Sequence, residues 1–304
     1  MRKNLMFYVL LLLITIACTS TNSSEKQGKV RIVATTGIIG DALINLLDTN
    51  AEITSLMGPG VDPHLYKATQ GDLQRLNNAD IVVYNGLHLE GKMVEILERL
   101  KERKTVYSME EMLDKDDFIQ AEGFSGNYDP HIWFDVSLWS KAVYNLGGHL
   151  ADTLHFSNEI LNNRDNYVLQ LKYLHNAVKD SINSIPHKNK VLVTAHDAFE
   201  YFGRAYNIEV RGLQGISTLS EAGIKDITKL VNFLVENKIP AVFVETSVSR
   251  RSIDAVVEGC MRKGHPLKIG GYLYSDALGQ AGSPEGSYIG TVRANVKIIV
   301  EALK

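Results

Sequence analysis

The sequence predicts an α/β protein of two lobes with parallel sheets, joined by one long rigid helix. Three observations predict it. Short β-branched runs alternate with stretches of helical spacing, which is the pattern of parallel sheets. The alternation is interrupted once, by an amphipathic stretch over residues 157–184. It then restarts and runs to the C-terminus. The expected organisation is a signal segment at 1–17, a tether at 18–28, an N-terminal lobe at 29–156, a linking helix at 157–184 and a C-terminal lobe at 185–304.

In order along the chain, VRIVATT is a β-branched run and IIGDALINLL after it has helical spacing. EITSLM, DIVVYN and KTVYSM are further short strands with helical or loop material between them. SLWSKAVYNLGGHLADTL is helical. In the next stretch Ile160, Leu161, Tyr167, Val168, Leu171, Leu174, Val178, Ile182 and Ile185 recur at helical period. Ser157 or Asn158 is placed to cap it and Pro186 to stop it. At 1.5 Å per residue it would be roughly 40 Å long, the span of a small domain. Beyond it KVLVT, IEVRG, AVFVET and PLKIGGYL are strands. DAFEYFGRAY, LSEAGIKDITKLVNFLVEN, SRRSIDAVVEGCMRK and GSYIGTVRANVKIIVEAL are the helices that follow them in turn.

The 304 residues carry a formal net charge of -3 and 45% hydrophobic residues, ordinary for a globular chain of two domains. There is no basic excess to neutralise phosphates, so nucleic acid is not an expected partner. Arg2 and Lys3 precede an apolar run from Leu5 to Ala17. The run is shorter than the roughly 20 residues that cross a bilayer, and it has the layout of a secretory signal. Cys18 follows directly, as the acylated Cys of a bacterial lipobox does, although Thr15 stands where Leu or Val is usual. An ordinary cleaved signal with an incidental Cys is the other reading. The small polar stretch TSTNSSEKQG is expected to be a flexible tether. With Cys18 acylated, Cys260 is the only thiol left. No intramolecular disulfide is then available, and Cys260 reads as a buried structural residue.

Ligands in open α/β sheets bind at the carboxyl ends of the strands. Metal-type residues just after strands are therefore the candidates. His64 lies after EITSLM, His131 in YDPHIWFD, His196 directly after KVLVT, and Asp276 after IGGYLY. Two come from each lobe, so all four could converge in the cleft. His64 and His131 share the tripeptide Asp-Pro-His, Asp62-Pro63-His64 and Asp129-Pro130-His131. Proline fixes its own φ and pushes the residue before it to an extended form, which stiffens the backbone of the His that follows. The Asp could orient the imidazole through its second nitrogen, or only cap a turn. His88 follows a strand but is read as a non-ligand. His149 and His155 are placed on helical stretches, His175 on the linking helix, His187 after Pro186 and His265 in a turn. These five are read as structural or surface residues. Gly86-Leu87-His88-Leu89-Glu90-Gly91-Lys92 fits G-x4-G-K, but Met93 stands where a phosphate loop needs Ser or Thr, and Glu90 would repel phosphate. No nucleotide binding is expected.

With these residues in view, the chain resembles the metal-binding receptors of zinc and manganese ABC importers, the TroA-like family. The segments that carry the resemblance are ATTGIIGDALINL, GPGVDPHLYKAT, NNADIVVYNGLHLE, DPHIWFD, TAHDAFEYFGRAYNIE, LQGISTLSEAG, VFVETSVSRRSID and YSDALG through GSYIGTVRANVKIIVEAL. The resemblance implies two Rossmann-like lobes bridged by one long helix, with the metal buried between them. It implies His64, His131, His196 and Asp276 as the four ligands, the third position varying in the family between His and Glu. The His- and acid-rich loop of many dedicated zinc receptors is missing, since residues 101–128 contain no His.

The expectation is an exported, lipid-anchored solute-binding protein. It would take one divalent transition metal ion, zinc or manganese with iron as a further option, and hand it to the membrane permease of an ABC importer, acting as a monomer. Three imidazoles and a carboxylate without sulfur suit these ions rather than Cu(I). Four single-atom ligands would give tetrahedral zinc, whereas a bidentate Asp276 would better accommodate manganese. Rival readings are a zinc hydrolase, with Glu245 offered as general base against a supporting or salt-bridge role, a metal-stabilised surface adhesin, and a receptor for a metal chelate. The chain lacks HExxH, and four protein ligands leave little room for a reactive water.

Overall fold

The computed structural model describes residues 29–121 and 128–304. The signal, the tether and Cys18 lie outside the described residues. The first sheet is built from β1 (Val30–Thr36), β2 (Ala51–Met57), β3 (Ile81–Tyr84) and β4 (Thr105–Ser108), all parallel in the order β2-β1-β3-β4. β3 is buried at every residue, while β2 mixes buried and exposed positions. A strand inside a parallel sheet is covered on both faces and so reads as a continuous apolar run.

The connections are α1 (Gly37–Leu47), α2 (Gln70–Asn78) and α3 (Val94–Lys101). The sequence alone does not separate helix from loop at the last two. α2 is set by a capping box, in which Thr69 accepts from the Asp72 amide and the Asp72 side chain accepts from the Thr69 amide. α4 (Val136–Thr153) follows, started by the Asp135 carboxylate on the Ser137 and Leu138 amides.

α5 (Ser157–Asn183) is the expected long helix. Its start differs from expectation: Phe156 is the N-cap and makes no side-chain bond. The Ser157 hydroxyl instead donates back to the carbonyls of Ala151 and Leu154, fixing the corner between α4 and α5. His155 lies in that corner and not on a helix.

The second half is also parallel but is divided into two two-stranded sheets. β5 (Val191–His196) pairs parallel with β6 (Glu209–Gln214), and β7 (Ala241–Glu245) with β8 (Lys268–Leu273). β5 and β7 lie side by side between them. The helices are α6 (Glu200–Tyr206), α7 (Ile224–Asn237), α8 (Arg251–Arg262) and α9 (Tyr288–Leu303). α7 starts later than the sequence suggests, because residues 219–223 form a turn and an irregular stretch. Cys260 is buried, as expected, on α8.

The helix α5 does not stand free between the halves. One apolar core runs from Ile32 and Leu43, through Trp139, Leu171 and Leu174, to Phe199, Phe243 and Ile299. Each half has a separate, smaller cluster on the other face of its strands. A buried polar tie crosses the same core. Asp41 on α1 accepts from the Tyr167 hydroxyl on α5 at 3.2 Å and from the Tyr288 amide opening α9 at 3.1 Å. No helix among the described residues is long and apolar enough to cross a membrane.

Candidate metal centre

Four side chains meet where the carboxyl ends of the parallel strands of the two halves come together. His64 sits on the loop after β2. Its backbone amide donates to Asp62 Oδ1 at 2.8 Å, and Asp62 Oδ2 accepts from Thr218 Oγ1 of the other half at 2.6 Å. His131 follows the second Asp-Pro turn. Asp129 Oδ1 accepts from both the His131 amide at 2.9 Å and its Nδ1 at 2.7 Å. The turn itself is held by Tyr201, whose hydroxyl donates to the Asp129 carbonyl at 3.0 Å, and by the Asn85 side-chain amide on the Pro130 carbonyl at 3.0 Å. The two Asp residues therefore differ. Asp129 orients an imidazole, whereas Asp62 shapes a turn and touches the opposite half.

His196 is the last residue of β5. Its amide donates to Glu245 Oε1 at 2.9 Å, and its Nδ1 meets Glu245 Oε2 at 2.5 Å. Glu245 ends β7 beside it. Asp276 comes just after β8, where Trp133 Nε1 donates to the Ser275 carbonyl at 3.0 Å and Asn295 pairs with both backbone groups of Tyr274.

The four candidate ligand residues are all buried, and one nitrogen or oxygen from each lies within 4.8 Å of the others. His64 Nε2 and His131 Nε2 are 3.3 Å apart, His131 Nε2 and Asp276 Oδ1 3.5 Å, and His196 Nε2 and Asp276 Oδ2 3.6 Å. Bonds of 2.0–2.1 Å from a central zinc ion put tetrahedral ligands about 3.3–3.4 Å from each other. The spacing fits a single ion. His196 Nε2 and Asp276 Oδ1 also have no hydrogen-bond partner among the described residues. Buried polar atoms are rarely left so, and here they point into the same space.

Electrostatics sort the imidazoles. Burial pushes His64 down to about 3, aided by the charges of His131 and His196 and opposed by Asp276, so it is neutral at any ordinary pH. Burial also disfavours charge on His196, but the carboxylates of Glu245 and Asp276 outweigh it and raise His196 well above 6.5. Asp276 is likewise desolvated, yet the His196 charge and hydrogen bond beside it hold it below the usual carboxylate range. Asp276 faces the space directly, and Asp129 and Glu245 stand behind His131 and His196 at their Nδ1 atoms.

The structure brings together all four side chains that the sequence singles out. His88 is exposed, with a left-handed backbone at φ 62°, and lies outside the cluster. The G-x4-G-K segment closes on its own carboxylate. Glu90 is buried and accepts from Thr35 Oγ1 at 2.6 Å and from the Asn85 and Gly86 amides at 2.7 and 3.3 Å, which occupies the amides a phosphate would need. Glu245 contacts His196 and is not free to act as a general base. Ser247, whose hydroxyl reaches Asp276, has no signal in the sequence.

The model of the ZnuA family, described as zinc-uptake complex component A periplasmic, matches residues 32–302. The manganese-binding lipoprotein MntA of Bacillus subtilis (strain 168) is 45% identical over 307 residues, covering 100% of both chains. The zinc-binding protein TroA of Treponema pallidum (strain Nichols) is 43% identical over 284 residues, covering 93% of this chain and 92% of the relative. The solved structure of the periplasmic zinc binding protein TroA from Treponema pallidum superposes with a TM-score of 0.88 over 91% of this chain and 99% of that one.

Proposed function

The chain belongs to the ZnuA family, the zinc-uptake component A proteins, and from that membership we propose that His64, His131, His196 and Asp276 together hold one zinc or manganese ion for delivery to an ABC importer. It is a receptor of a metal ABC importer and not an enzyme. It works outside the cytoplasm, where it passes its ion to the membrane permease. The observation that carries the ligand assignment is the convergence of four buried donor atoms from both halves within 4.8 Å.

The cargo is a bare ion. The relatives include one named for manganese and one named for zinc, and the donor set admits both. By the Irving–Williams order zinc binds more tightly than manganese, so the ion carried in the cell follows availability. Lipidation of Cys18 tethers the receptor to the membrane, and residues 29–156 and 185–304 act as the two lobes that enclose the ion, as a monomer.

Elemental analysis of the purified protein, followed by zinc–manganese competition, tests this reading. One ion per chain is expected. His131→Ala should lose tight binding while its far-ultraviolet circular dichroism stays that of the parent. Unchanged stoichiometry in that variant would remove His131 from the ligand set.

A further inference from the structure

The turn that carries His131 is bolted to the helix that follows His196. Tyr201 is the second residue of α6, five residues after His196, and is fully buried. Its hydroxyl accepts from the Ile119 amide at 3.1 Å and donates to the Asp129 carbonyl at 3.0 Å. A hydroxyl has one proton and two lone pairs, so Tyr201 serves both groups at once. The same two residues are also joined directly. The Asp129 amide donates to the Ile119 carbonyl at 2.9 Å, with Gln120 and Tyr128 bridged beside them. Tyr201 thus closes the neck of a narrow antiparallel loop just ahead of Pro130 and His131. On the far side of His131, the Phe199 ring packs on Phe134 at 4.1 Å between centroids. Arg204 of the same helix covers the Tyr201 ring at 4.9 Å and donates to the Asp117 carbonyl at 2.8 Å.

His131 and His196 come from different halves, and their ring centroids lie 5.3 Å apart. That distance depends on what joins the Asp-Pro turn to the end of β5, and α6 makes the join. We propose that Tyr201 is a positioning residue, whose hydroxyl fixes the His131 turn relative to His196 before an ion arrives. It acts through the Asp129 carbonyl and not on the ion. This rests on the four-residue site proposed above.

The physical consequence follows from preorganisation. Donors that already stand at bonding spacing bind an ion without the cost of ordering them. Without the hydroxyl, the Ile119 amide and the Asp129 carbonyl lose the group that ties them to α6. The turn relaxes, and the ion must restore it on binding. The loss falls mainly on the release rate.

The test compares the purified parent protein with Tyr201→Phe and, as a control, Tyr206→Phe. Tyr206 lies on the same helix, but its hydroxyl accepts from the Val136 amide at 3.4 Å, away from the Asp-Pro turn. Zinc affinity is measured by chelator competition, and zinc release by rapid mixing with excess chelator. In Tyr201→Phe the affinity should fall roughly tenfold, the scale of the two neutral hydrogen bonds lost, with release faster by a similar factor. Tyr206→Phe should keep the parent affinity and release rate. In a His131→Ala background, where weak residual binding is measured, Tyr201→Phe should change nothing further, because the ligand through which it acts is gone. An unchanged affinity in Tyr201→Phe, an equal fall in Tyr206→Phe, or a further loss in the His131→Ala background each overturn the proposal. If Tyr201→Phe does not fold, amide hydrogen exchange in the parent decides. Zinc should slow exchange at Ile119 more than at Val136, and equal slowing overturns the proposal. A parent protein that takes up no ion overturns the site itself, which is a different result from an unchanged affinity in the variant.

Discussion

Replacing Asp129 by asparagine isolates what a carboxylate behind a ligand imidazole contributes. Asp129 Oδ1 accepts two bonds, from the His131 amide at 2.9 Å and Nδ1 at 2.7 Å. Both donors come from the same side, so the new carboxamide must turn its oxygen towards them. Its NH₂ then takes the position of Oδ2, which is buried and has no partner among the described residues. A buried donor left unpaired costs about 1–3 kcal/mol, and that is the expected loss of stability in the metal-free protein, read from the urea midpoint at constant slope. The effect on the ion is separate. The hydrogen bond to Nδ1 survives, but its negative charge does not, so the imidazole becomes a weaker base. Loss of an outer carboxylate typically weakens metal binding about 10–100-fold, equivalent to about 1.4–2.7 kcal/mol. Chelator competition with zinc measures it. An affinity within about twofold of the parent would refute the claim that Asp129 serves the metal through His131.

Three further outcomes are expected. The neighbouring carboxylates raise the His196 pKa, whereas burial lowers that of His64, so an arriving cation competes with a proton at His196 and not at His64. Affinity should climb with pH above about 6.5 and fall on acidification, and calorimetry in buffers of different ionisation heat should find about one proton released per ion; no release at pH 7 contradicts this. The same raised pKa favours the metal-free fold below the unfolded value of about 6.5 and loses that contribution as pH climbs through the folded one. Gly212→Ala would place a Cβ 2.5 Å from the Asp197 amide nitrogen, beside His196, and should cost about 1–3 kcal/mol by overpacking; an unchanged denaturation midpoint contradicts it. Because α5 lies inside one continuous core, small-angle scattering should detect no large closure when zinc is added.

Much of this is legible in the sequence, for identifiable reasons. The long helix is readable because its buried positions, among them Ile160, Tyr167, Leu171, Leu174, Val178 and Ile182, recur at helical period over many turns. The three His and Asp276 are readable because each follows a strand or a stiff turn, and the topology of parallel sheets brings those ends together. α2 and α3 are not readable. They are short, and α2 has just two buried residues, Asp72 and Leu76, too few to establish a period. The start of α5 misleads because Ser157, a good capping residue by type, gives its hydroxyl to the preceding corner. Ser247 cannot be found from sequence at all. Its partner is 29 residues away, beyond a helix and a strand, and a serine in a polar loop carries no pattern.

The shared core has a thermodynamic corollary. Since residues as far apart as Ile32 and Leu303 pack into one apolar body, either half loses the larger part of its interior when the other melts, and the chain should unfold in a single cooperative step. An ion held at the junction then protects the whole molecule at once: at a free concentration about a hundred times its dissociation constant it adds about 2.7 kcal/mol to global stability. Loaded and empty receptors would differ in their lifetime against proteolysis as well as in what they carry.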